Sequence, residues 1–73
     1  MGPEIIFKIE KPETQEEILD FKLLKLELKA ALKKGKLKVA EKFAVFAFII
    51  TDYTAAEQQE VIALFKQRAS VVA

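Results

Sequence analysis

The chain has 73 residues, 52% of them hydrophobic and 32% charged, and a formal net charge of +1. That length supports one small core, and residues 1–73 are therefore expected to form a single domain. Cysteine and histidine are both absent, which excludes disulfides, the usual zinc and iron ligand sets and the commonest general base.

Met1 to Glu4 shows no basic stretch leading into an apolar one, so no secretory signal is expected. Gly2 has Ile6, not Ser or Thr, at the position a myristoylation start requires. Glu4 to Glu10 then reads as a strand. Ile5, Phe7 and Ile9 fall on one side at period two, and β-branched and aromatic residues dominate.

Lys11-Pro12 ends the strand, and Thr14 followed by Glu17 has the spacing of a capping box. The spacing predicts a helix from there to Gly35, across an interval filled with Ala, Leu, Lys and Glu. Leu24 to Ala30 also alternates as a strand would, but no β-branched residue occurs from Leu19 to Lys38. Around the helix run two apolar faces. Leu19, Leu23, Leu26 and Ala30 make the first; Phe21, Leu24, Leu28, Ala31 and Leu32 make the second. An ordinary surface helix buries one stripe. The second face is therefore expected to meet either another layer of the core or a partner.

Leu37 to Tyr53 carries conflicting signals. As a helix it lines up Val39, Phe43, Phe46, Ile50 and Tyr53; as a strand, Phe43 to Thr51 has the right length and residue types. The helical pattern from Leu37 to Lys42 favours helix. Thr54 and Glu57 repeat the capping-box spacing and open a last amphipathic helix, whose apolar tail, Val71-Val72-Ala73, needs a docking site to stay ordered. The expected fold is mainly α with a short N-terminal strand, in the order β-α-α-α. The alternative is α+β, β-α-β-α, with residues 43–51 as a buried strand.

Little here is equipped for catalysis. The hydroxyls are Ser70, Thr14, Thr51, Thr54 and Tyr53, and none has a base at a suggestive spacing. Glu13, Glu16, Glu17 and Asp20 offer oxygen ligands, but acids in the first turns of a helix complement its positive end. No enzyme activity, cofactor or metal is expected. The longest apolar run, Phe43 to Ile50, is too short to cross a bilayer, which takes about 18–20 residues. No membrane role is expected, and the composition suggests a cytoplasmic protein. Heavy use of helix formers and two Thr-x-x-Glu caps also resemble the habits of designed chains, whereas the phenylalanine-rich middle does not.

A lone strand needs a neighbour. The expected function is therefore non-enzymatic association, most simply of two copies, through Ile5, Phe7 and Ile9 of the strand and Phe21, Leu24 and Leu28 of the long helix. Charge supplies the alternative. Residues 22–42 hold eight lysines against Glu27 and Glu41. Of these, Lys22, Lys25, Lys29, Lys33, Lys34, Lys36 and Lys38 are candidate contacts to nucleic acid through phosphate neutralisation.

Overall fold

A computed structural model describes residues 4–68 and 71–72 of the chain. Its elements, in chain order, are β1 (Glu4–Glu10), α1 (Gln15–Ala31), β2 (Leu37–Lys42), β3 (Val45–Thr51), α2 (Ala55–Arg68) and the two-residue β4 (Val71–Val72).

This overturns the mainly helical expectation. The fold is α+β, an antiparallel sheet with two helices, and not a small helical protein. The sheet runs β2-β3-β1-β4, so that β3 lies between β1 and β2, the split β-α-β arrangement. Residues 37–53 form neither one helix nor one strand but a hairpin. The alternative of a strand over 43–51 fits β3 from Val45 onwards and omits β2. The physical reason lies in the turn. Lys42 pairs with Val45, leaving Phe43-Ala44 as a two-residue loop without the Gly, Asn or Asp that normally marks one. Phe43 takes a positive φ of 45°, a conformation that costs a bulky L-residue energy.

The helix starts follow the sequence closely. Thr14 Oγ1 accepts from the Glu17 amide at 3.1 Å, while Glu17 Oε1 accepts from the Thr14 amide at 3.0 Å. Thr54 and Glu57 reproduce the exchange at 3.1 and 2.8 Å. α1 stops short of Gly35, because Leu32 turns extended as its C-cap. Gly35 instead supplies a φ of 87° in the turn that leads into β2. Val71 and Val72 dock by pairing with Ile9 and Lys8.

Strand register sorts the side chains. Ile5, Phe7 and Ile9 lie opposite Ile50, Phe48 and Phe46, and this face receives both helices. Leu24, Leu28 and Leu32 of the α1 segment and Val61 and Phe65 of α2 close over it. Five of the six phenylalanines meet there. Phe7 stacks on Phe65 with ring centroids 4.2 Å apart, Phe48 meets Phe65 edge-on at 5.2 Å, and Phe21 covers Phe46 and Phe48 at 4.6 and 5.6 Å. Among the described residues, no helix packs on the other face of the sheet, and β2 forms one outer edge.

Candidate interaction surfaces

The residues expected to mediate association now have definite places. Leu24 and Leu28 are fully buried in the chain's own core, and Phe21 is half-buried against β3. Ile9 is buried, and Ile5 and Phe7 lie half-buried on the covered face of the sheet. The structure thus brings all six together, inside one chain. Covering these residues requires no second copy.

The opposite face of α1 is different. Leu19 is 58% and Leu26 64% exposed, Ala30 is exposed and Leu23 half-buried. Ile18 and Leu19 border a shallow depression of about 310 Å³ with Gln15, Glu16 and Lys22. Both apolar faces are visible in the sequence, which leaves open whether Phe21, Leu24 and Leu28 meet a core layer or a partner; here they meet the chain's own core. The usable signal was bulk, since the face that turns inward carries the only aromatic residue of the helix and runs on into Leu32.

Two smaller apolar features lie elsewhere. On the uncovered face of the sheet, Ile6 is half exposed beside Ile49, Ala47 and Val45, with Lys8, Lys38, Lys42 and Glu10 around them. At the β2–β3 turn, Phe43 is 99% exposed, the one phenylalanine outside the aromatic cluster. Periodicity could not find it, because neither the helix nor the strand reading made it a turn residue.

The lysine-rich segment is divided among three environments. Lys22 and Lys29 lie exposed on α1, and Lys25 reaches over the Phe21 ring, its Nζ 5.0 Å from the centroid. Lys29, Lys33 and Lys34 gather around a depression of about 300 Å³ floored by Leu32, Gly35 and Leu37. Lys38 stands on the uncovered face of the sheet, on the strand that follows. Lys36 is taken out of the set. Its Nζ lies 2.7 Å from Glu57 Oε1, with both side chains almost nine-tenths buried.

No spacing in the sequence announces that ion pair, whose partners lie 21 residues apart. It joins the start of β2 to the start of α2, because the same Glu57 oxygen also accepts from the Thr54 amide. The hydrogen bond from Lys36 is the main reason that the Glu57 carboxyl is pulled down to about 2, with the Thr54 amide second. Glu17, which has the cap without the lysine, is also lowered, chiefly by the Thr14 amide.

The candidate chemical groups do not assemble. Thr14 and Thr54 are caps, Glu17 is held by the Thr14 amide, and Gly2 and Ser70 fall outside the described residues. Among the described residues, no three acidic side chains are grouped as a metal site, and no helix is long and apolar enough to cross a membrane. Compared with protein families, curated proteins and solved structures, the chain matches none.

Proposed function

We propose that this chain is a non-enzymatic association domain that works by binding another protein, most simply a second copy of itself. One observation carries the reading: α1 leaves Leu19 and Leu26 more than half exposed although the core beneath the helix is already complete. Large apolar side chains clustered on one helix face mark interaction surfaces more often than isolated ones do. A sequence without histidine or cysteine supports the non-enzymatic half of the proposal. A cytoplasmic setting belongs to the same proposal.

Light scattering behind size-exclusion chromatography tests it. The mass should rise from one chain toward two as concentration increases into the high micromolar range, where a small interface of this kind associates. A mass of one chain at every concentration would remove self-association.

A second reading keeps the nucleic-acid alternative, supported by the gathering of Lys29, Lys33 and Lys34 around one depression. Lys22 and Lys25, on the same helix as Lys29, extend that positive region along α1. Affinity for duplex DNA should then fall with salt, with a log–log slope of roughly −3 for three neutralised phosphates. Binding that ignores salt would discard it.

A further inference from the structure

We infer that the outer face of α1 receives the α1 of a second copy, laid parallel to the first about a two-fold axis; this deepens the self-association reading and rests on it. The first argument is spacing. Leu19, Leu23, Leu26 and Ala30 follow one another at intervals of four, three and four residues, the a/d alternation of a coiled-coil seam. Leu19 and Leu26 take d positions and Leu23 and Ala30 take a positions. α1 is already folded against its sheet, so the pairing need not also stabilise the helix.

The second argument is charge, and it selects both the partner and its direction. Lys22 and Lys29 flank the seam on one side, at g positions; Asp20 and Glu27 flank it on the other, at e positions. In a parallel pair, g meets e five residues on in the partner. Lys22 then faces Glu27 of the second copy, and symmetry repeats the contact. An antiparallel pair would set g against g and e against e. That would oppose Lys22 to Lys29 and Asp20 to Glu27, like against like at every flanking position. Like charges across a helix pair disfavour it, so the flanks reject that arrangement. The same surface is thus complementary to itself in one orientation only, as a two-fold contact demands.

Because the chain has no cysteine, single-cysteine variants report the geometry directly. Leu19→Cys and Leu26→Cys are made separately, with Ala63→Cys, on the exposed side of α2, as the measure of random collision. Circular dichroism confirms that each is folded, and each is oxidised gently at a concentration where the wild-type mass exceeds one chain. In the parallel pair every seam residue meets its own copy. Both seam variants should therefore form disulfide-linked dimers, at least about tenfold faster than Ala63→Cys, since pairing raises the effective thiol concentration toward millimolar. In an antiparallel pair, residues 19 and 26 are separated by seven positions, or roughly 10 Å, beyond the 4.4–6.8 Å a disulfide spans. At most one variant would then link with itself, or the two would link only when mixed. Either result overturns the parallel arrangement while leaving association standing. A wild type that dimerises while neither variant links above the Ala63→Cys rate places the contact elsewhere and overturns the inference. A wild type of one chain at all concentrations defeats the association reading and this inference together.

Discussion

The two sides of α1 carry the same residue to opposite ends. Leu24 and Leu28 are sealed against β3 and α2, whereas Leu19 and Leu26, equally apolar and on the same 17-residue helix, stand in solvent. Residue type cannot account for this, and neither can helix propensity. The difference comes from what each face meets. Phe21, Leu24 and Leu28 offer one aromatic ring and two leucines to a sheet already lined with phenylalanine, while no layer of the described residues lies above the outer face. A helix with two apolar faces therefore reports two distinct tasks. One is folding, and the other, in the function proposed above, is association.

Substitutions on the two faces should separate those tasks. The largest effect belongs inside: Leu24→Glu places an unpartnered carboxylate in the core, at a cost of several kcal/mol, comparable with the whole stability of a small domain. Its far-ultraviolet circular dichroism should show an unfolded chain. Leu28→Ala removes bulk without adding charge and should cost about 3 kcal/mol, measured by urea unfolding. If either change left stability untouched, the assignment of this face to the core would be lost.

The helix starts provide an intermediate test, because both begin with the same Thr-x-x-Glu cap but only the second is tied to another strand. Glu57 has its folded value lowered from 4.5 to about 2, so the carboxylate stabilises the fold above 4.5. That contribution is lost as pH falls from 4.5 through about 2, where the folded form at last takes up the proton. Acid unfolding should therefore shallow in Glu57→Gln, which has already lost the charge, more than in Glu17→Gln. Equal slopes for the two variants would mean that Lys36 adds nothing to the second cap.

The smallest effect on stability belongs outside. Leu26→Ser should stay within about 0.5 kcal/mol of the wild type in urea, yet should lower the mass seen by light scattering at high concentration. Loss of stability without change in mass would reverse the roles given to the two faces.

Much of this arrangement can be read from residues alone, and the failures share a cause. β1, the two capping boxes and α1 are local patterns, set by alternation over seven residues or by a threonine and a glutamate three positions apart. The hairpin of β2 and β3 is not local in that sense. Its turn residues, Phe43 and Ala44, carry none of the usual turn chemistry, and Leu37 to Lys42 alternates too weakly to declare a strand without β3 beside it. Lys36 and Glu57 lie 21 residues apart, and only the return of the chain along the sheet brings them together. The choice between the faces of α1 is likewise tertiary. Ile5, Phe7 and Ile9 share one side of a strand, as their alternation predicts, but the strand beside them is β3 of the same chain, which a helical reading of residues 37–53 hides.

The free edge of β2 has a consequence for how copies avoid one another. Two such edges joining antiparallel into a continuous sheet must keep each face on its own side, so any two residues placed opposite each other have numbers of equal parity. A register centred on Ala40 pairs residues 38–42 and sets Lys38 of each copy against Lys42 of the other, twice by symmetry. A register centred on Glu41 shortens the overlap to residues 40–42 and brings Glu41 opposite itself, whereas one centred on Val39 pairs residues 37–41 with Leu37 against Glu41 and no like charges opposed. Two of these three registers oppose like charges, so Lys38, Glu41 and Lys42 leave a second sheet one unopposed way of adding to this edge, and a charge at Val39, or an acid at Leu37, would be the change that closes it.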